Sequence, residues 1–231
     1  MSTILSERLS NIKERIQKAC LTSNRNSDEV SLLPVSKTKP SQLIKEFHEL
    51  GCNRFGENKV QEIETKANEL SDLSLEFCLI GHLQSNKVNK VARHASEIHT
   101  LDSLKIAVSL EKALQKEGRS MNALIQVNTS SEPQKFGLSV DEVLPFAREL
   151  KSFSSLKIKG LMTLALFSKD ENLVRPCFVK LRELKDQLQQ DSLDISDWSV
   201  LSMGMSQDLE WAIEEGSTEV RIGTDLFGKR D

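Results

Sequence analysis

The strongest constraint on the fold of this chain is a regular alternation of two kinds of segment, repeated eight times. Short apolar stretches have the residue types of β-strands, and the amphipathic stretches between them have helical spacing. The predicted strands cover residues 30–35, 54–56, 75–80, 97–101, 121–128, 156–162, 198–201 and 219–222. Eight strand–helix units with short connections predict an α/β fold, a single (β/α)8 TIM barrel that spans residues 1–231 without inserted domains.

Two helices of this pattern lie near opposite ends of the chain. Apolar residues recur at helical spacing between Ile4 and Ala19, which predicts an extra N-terminal helix against the outside or bottom of the barrel. The segment 207–215, after the seventh predicted strand, is expected to be a helix that ends at Gly216.

Composition and charge exclude several classes of function. The net charge of −3 and the pI near 5.9 give no electrostatic reason to expect a nucleic-acid partner. No apolar run approaches the ~18 residues of a membrane span, and Glu7 and Glu14 are unusual in a targeting peptide. The cysteines and histidines lack metal-ligand spacing, so we expect free thiols, no metal and a cytoplasmic location.

The first predicted strand runs directly into Lys37 and is stopped by Pro40. Strand alternation would place Leu33, Val35 and Lys37 on one inward face, with the lysine in a partly dry environment. There the pKa of an ammonium falls, and the free amine becomes a nucleophile towards carbonyls. Lys37 is therefore a candidate for Schiff-base formation, and the alternative is a solvated charge at a strand end. Pro34 weakens the strand assignment, because proline cannot donate to a ladder.

Phosphate-binding features follow the last two predicted strands. In TIM barrels the loops after these strands often hold phosphate at the C-terminal face. Ser206 stands where a helix N-cap belongs, and the glycine of the pair Gly223–Thr224 allows a close backbone approach while the threonine can donate a hydrogen bond. In the structural alternative, Ser206 is only an N-cap and Gly223 only a turn glycine.

Arg221 lies within the eighth predicted strand and faces opposite to its neighbours Val220 and Ile222. Burying an arginine is costly unless the guanidinium has a partner. The sequence leaves two interpretations open, a contact with a bound ligand or a salt bridge inside the barrel.

Seven short segments follow one another in a fixed order from about residue 28 to the C-terminus. They are VSKTKP at 35–40, FGEN and QE at 55–62, GHLQSNK at 81–87, VNTS and KFG at 127–137, GLMT at 160–163, LSMGMS at 201–206 and VRIGT at 220–224. In this set the chain resembles the pyridoxal phosphate homeostasis proteins, which are single-barrel relatives of the alanine racemase N-terminal domain.

The resemblance implies a pyridoxal 5'-phosphate (PLP) site in this single barrel domain. It implies a Schiff base on Lys37, a phosphate site at Ser206, Gly223 and Thr224, and a pocket contact from Asn58. It also implies that Arg221 contacts either the pyridine nitrogen or the phosphate. The expected protein takes part in intracellular PLP homeostasis as a monomer, without turnover, and exchanges PLP with apo-PLP enzymes.

Two enzymatic alternatives use the same lysine. A PLP-dependent amino-acid racemase of this fold needs a tyrosine base from a second domain, and the sequence contains no tyrosine and leaves no residues for that domain. A Schiff-base aldolase without cofactor shares the barrel but does not explain Arg221 or the seven segments.

Overall fold

Eight parallel strands form the centre of the molecule in the computed structural model, which describes residues 2–191 and 195–228. The strands are β1 (Ser31–Pro34), β2 (Arg54–Glu57), β3 (Glu76–Leu79), β4 (Glu97–Leu101), β5 (Met121–Gln126), β6 (Leu156–Met162), β7 (Val200–Ser202) and β8 (Glu219–Ile222). From β2 to β7 each strand pairs with its successor along the chain, and β8 pairs with β1. The predicted (β/α)8 TIM barrel is therefore confirmed.

Helices connect successive strands and pack around the barrel. They are α1 (Ser2–Thr22), α2 (Ser41–Glu49), α3 (Val60–Glu69), α4 (Val88–His94), α5 (Leu104–Glu117), α6 (Val140–Glu149), α7 (Glu171–Gln190), α8 (Leu209–Glu214) and α9 (Thr224–Phe227). The main apolar core lies between the strands and these helices. None of the helices in the described ranges combines the length and apolarity that crossing a bilayer requires.

The predicted N-terminal helix is α1, and its place is on the outside of the barrel. Its apolar face is buried and includes Leu5, Leu9, Ile12 and Ile16. This face packs mainly against α8 and α9. The N-terminal helix thus covers the two elements that follow β7 and β8.

The barrel closes weakly between β1 and β2. Val35 donates its N–H to Ile222 on the β8 side, whereas Ser36 donates to Gly56 on the β2 side. Because donors alternate along a strand, the nitrogen of Pro34 faces β2, where it has no hydrogen to give. A single bridge, Val35–Gly56, joins the two strands within the described chain. The predicted irregularity at Pro34 is confirmed at this seam.

Candidate functional site

Five of the predicted site residues follow four strands that are neighbours in the barrel. Lys37 follows β1, Asn58 follows β2, Ser206 follows β7, and Gly223 and Thr224 follow β8. The barrel order at this point is β7, β8, β1, β2. All of these residues therefore belong to one sector of the C-terminal face, where TIM barrels place their active sites.

Lys37 lies on a turn and not on the strand itself. The β1 ladder ends at Pro34, and the turn is closed by a hydrogen bond from Lys39 N to Ser36 O of 3.1 Å. Thr38 has a φ of 65° and donates its N–H to Glu62 Oε2 at 2.7 Å. The prediction that alternation carries Lys37 onto an inward strand face is wrong, because the strand ends three residues earlier. Lys37 is half-buried on this turn.

A buried network of charged side chains from β2 and α3 holds this turn in place. Ser36 Oγ donates to Glu57 Oε1 at 2.6 Å, and Lys66 Nζ donates to Ser36 O at 2.9 Å. Lys66 Nζ also lies 2.6 Å from Glu57 Oε1 and 3.1 Å from Glu62 Oε2. Burial raises the pKa of Glu57 to about 7, against the lowering effect of Lys66. One local signal for this network is visible in the sequence, the i,i+4 spacing of Glu62 and Lys66.

Arg221 points into the barrel and is almost completely buried. Its Nη1 donates to Ser202 Oγ at 2.7 Å, and its Nη2 donates to Thr163 O at 2.8 Å. Burial lowers the pKa of Arg221 to about 10, so the guanidinium stays charged at neutral pH. No carboxylate of the described residues forms an ion pair with it. The alternative of a salt bridge inside the barrel is therefore wrong within this part of the chain.

The segment after β7 differs from its prediction. Helix α8 begins at Leu209, and its N-cap position is taken by Asp208, whose Oδ1 accepts from Met205 N at 2.6 Å. Ser206 lies one turn earlier and is half-buried. The predicted helix 207–215 is present as the shorter α8, but the predicted N-cap at Ser206 is wrong, because the helix begins two residues later than expected.

The segment after β8 begins with a glycine that a larger residue could replace without a clash. Gly223 has a φ of −110°, which other residues adopt, and a Cβ built on it would lie 3.5 Å from Val35 O, an ordinary contact. The packing of the protein itself therefore does not require glycine here. Thr224 is exposed and begins α9, a four-residue helix that the sequence pattern did not predict.

Asn58 is exposed at the mouth of the barrel, and its backbone is fixed by Gly81. A Cβ on Gly81 would lie 2.1 Å from Asn58 O, so only glycine permits this close approach. Asn128, which follows β5, lies apart from this sector. It donates to Glu132 O at 2.9 Å within its own loop and lines a cavity of about 680 Å³ with Lys135.

The opposite, N-terminal end of the barrel holds a second charged cluster. Arg54 Nη2 lies 2.7 Å from Glu97 Oε2 and 2.9 Å from Glu219 Oε2. His99 Nε2 lies 3.0 Å from Glu97 Oε2, and Cys78 Sγ lies 3.6 Å from it. Cysteine, glutamate and histidine are metal-ligand types, but the guanidinium of Arg54 already supplies the positive charge between them. Sequence spacing did not reveal this cluster, because its members come from β2, β3, β4 and β8.

Comparison with known proteins places this barrel in a class. The chain matches the family described as alanine racemase, N-terminal domain, over residues 8–231. An alanine racemase from Clostridium difficile is 13% identical, with a TM-score of 0.77 that covers 98% of this chain and 56% of the racemase. At that identity the likeness shows the fold alone. The class is therefore a barrel of the alanine racemase N-terminal type.

Closer relatives define the family. The pyridoxal phosphate homeostasis protein of Aquifex aeolicus is 42% identical over 97% of each chain. The structure of PipY from Synechococcus elongatus with PLP bound is 34% identical, with a TM-score of 0.84 over 97% of this chain and all of PipY. The chain belongs to the family of pyridoxal phosphate homeostasis proteins.

Proposed function

We propose that this chain binds PLP at the C-terminal face of its barrel and takes part in intracellular PLP homeostasis. The observation that carries the proposal is a buried cationic Arg221, without a carboxylate partner in the described chain, next to the strand that leads to Lys37. Leu33 is paired with Arg221 in the β1–β8 register, so the lysine turn begins just beyond this arginine. The PLP-bound structure of PipY and the names of the relatives support the same ligand.

The residues present fit the chemical groups of PLP. Its aldehyde requires an amine, its phosphate requires donors, and its ring nitrogen accepts a hydrogen bond. Lys37 supplies the amine, and the cofactor is held as a Schiff base on it. Ser206, Gly223 and Thr224 surround the phosphate, and Asn58 lines the mouth.

Each residue then has a definite task. The turn that carries Lys37 is held by the network of Ser36, Glu57 and Lys66, so the backbone from which the amine extends is fixed in position. Arg221 uses two of its five N–H groups inside the protein, and the others are directed to the ring nitrogen or the phosphate of PLP. PLP supplies an electron sink when bound. A charged arginine beside the ring nitrogen donates a hydrogen bond without protonating it, which weakens that sink.

The protein is accordingly a carrier and buffer of the cofactor without turnover of its own. It exchanges PLP with apo-PLP enzymes as a monomer in the cytoplasm. Racemisation by this fold would need a second base, and the sequence contains no tyrosine to supply it. Incubation of the PLP-loaded protein with L- and D-alanine, followed by chiral analysis, should show no more than background interconversion. Racemisation at an enzymatic rate, on the order of 1–1000 per second, would restore the racemase alternative.

The attachment site is tested by reduction with borohydride followed by peptide mapping. We expect the phosphopyridoxyl label on Lys37. Before reduction, the PLP-loaded protein should show an absorbance band that the protein without PLP lacks. Lys37→Arg should abolish the label, whereas the matched control Lys39→Arg should keep it. A label on Lys39, or none on the wild type, would refute the assignment. The absence of colour from the PLP-incubated protein would favour a cofactor-free aldolase.

A further inference from the structure

Arg15, on the outer helix α1, makes an unusually complete set of contacts. Its Nε and Nη2 bind the two oxygens of the Glu210 carboxylate at 2.7 and 2.9 Å. Its Nη1 donates to Asp225 Oδ2 at 2.8 Å, and its Nη2 also donates to Ser206 O at 2.9 Å. Four of the five guanidinium N–H groups therefore have an acceptor, in a bidentate geometry that favours a single orientation.

These contacts join the two segments that the proposed function assigns to the phosphate. Ser206 belongs to the segment after β7, and Asp225 follows Thr224 directly at the start of α9. Backbone hydrogen bonds link the residues after β7 to β8 as far as Arg221 N to Gly204 O, at 3.0 Å, and none within the described chain joins the two segments beyond that pair. The two segments thus leave the sheet separately, and the guanidinium of Arg15 connects them from outside.

Arg15 also neutralises negative charge beside the proposed phosphate position. Glu210 and Asp225 place two carboxylates beside a site proposed to hold a phosphate anion, and the three side chains are between 33% and 39% exposed. Exposed ion pairs generally contribute little to stability. The expected effect of Arg15 therefore comes from its bidentate geometry and from neutralising the carboxylates near the proposed phosphate position.

We propose that Arg15 is a positioning residue for the phosphate of the ligand. It does not contact the phosphate itself but holds Ser206 and the Thr224–Asp225 turn in one arrangement, and it balances the nearby carboxylates. The inference deepens the proposed function and rests on it. It gives the N-terminal helix a part in the site, although α1 lies outside the barrel.

The first test measures the ligand-free protein and so does not depend on the proposed function. Arg15→Gln should raise amide hydrogen exchange selectively in residues 204–210 and 223–228, and Arg15→Lys should do so less. Lys18→Gln is the matched control, because Lys18 on the same helix pairs only with exposed Glu14 among the described residues. Unchanged exchange in both segments for Arg15→Gln would overturn the inference whatever the ligand is.

The second test compares PLP with unphosphorylated pyridoxal at equilibrium. Arg15→Gln should weaken PLP about 5- to 10-fold more than pyridoxal, the scale of one good charge-assisted contact, while Lys18→Gln weakens neither. Equal weakening of both ligands would overturn the positioning role. If wild-type protein binds neither ligand, the proposed function fails, and the exchange experiment still decides whether Arg15 connects the two segments. If Arg15→Gln does not fold, Arg15→Lys carries both measurements.

Discussion

Ser202 determines how Arg221 is oriented. The serine hydroxyl has one hydrogen, and it is donated to Glu219 Oε1 at 2.8 Å. Its oxygen is therefore left to accept from Arg221 Nη1, and the guanidinium plane is fixed between this oxygen and Thr163 O. The sequence indicated only that Arg221 faces opposite to Val220 and Ile222, and its acceptors could not be identified because they belong to β7 and to the end of β6.

A residue-scale prediction concerns Thr224. If its hydroxyl donates to the phosphate, Thr224→Ala removes a hydrogen bond to a charged group, which typically contributes ~1.5–3 kcal/mol. We expect PLP to bind at least about tenfold more weakly, with pyridoxal little affected. Equilibrium titrations of both ligands measure this difference, and Thr22→Ala on α1 is the control threonine. Equal loss for the two ligands would remove Thr224 from the phosphate site.

At the scale of elements, α3 supports the turn after β1. Glu62 and Lys66 both come from α3, and they contact Thr38 N and Ser36 O respectively. Glu57 completes the network from the last position of β2. Helix α3, which follows β2, thus fixes the turn that follows β1. These contacts link the first two β/α units where β1 and β2 are only weakly paired.

The buried Glu57 makes a pH-dependent contribution to stability. Burial raises its pKa to about 7 in the folded protein, from about 4.5 in the unfolded chain. A raised pKa means that the folded state holds the proton more tightly, so this contribution is complete below pH 4.5 and is lost as the pH rises through 7. Relative to Glu57→Gln, the free energy of unfolding of wild type should fall by up to about 3 kcal/mol over that window.

Urea unfolding of both proteins from pH 4.5 to 7.5 measures the change. If the free energy of unfolding of wild type rises with pH relative to that of Glu57→Gln, the assignment is contradicted.

The sequence predicted the elements well where the pattern is local. All eight strands lie at the predicted positions, because each apolar stretch is bounded by clear breakers. It placed the start of α8 two residues too early, with the wrong N-cap, and it missed α9, which has too few residues to show helical periodicity. Arg15 and the Arg54 cluster could not be predicted, since their partners come from elements far apart along the chain.

At the scale of the whole molecule, charges close the N-terminal end of the barrel while the C-terminal end carries the proposed site. Arg54 on β2 reaches both Glu97 on β4 and Glu219 on β8, so it spans the interior of the barrel. Glu219 also accepts from Ser202, which contacts Arg221. A continuous line of hydrogen bonds therefore connects the two ends through the barrel interior.

Glu97 should make the protein sensitive to acid. Burial raises its pKa, but the hydrogen bond with His99 and the charge of Arg54 outweigh burial and hold the pKa at about 2. A lowered pKa contributes stability that is present above about pH 4.5 and is lost as the pH falls towards 2. Glu97→Gln should therefore cost about 3 kcal/mol at pH 7 and progressively less in acid, as measured by urea unfolding. A cost that stays constant down to pH 2.5 would contradict this role.

The pairing of β1 with β8 has a consequence for synthesis of the chain. Ser31 Oγ donates to Thr218 O, 187 residues later. At about 5–20 residues per second, a ribosome takes about 10–40 s to cover that distance. During this interval the nascent lysine strand lacks its main neighbour, and Pro34 limits what β2 can offer. Lys37 and Thr224 therefore come together only after β8 has been synthesised, so a shorter nascent chain lacks half of the proposed PLP site.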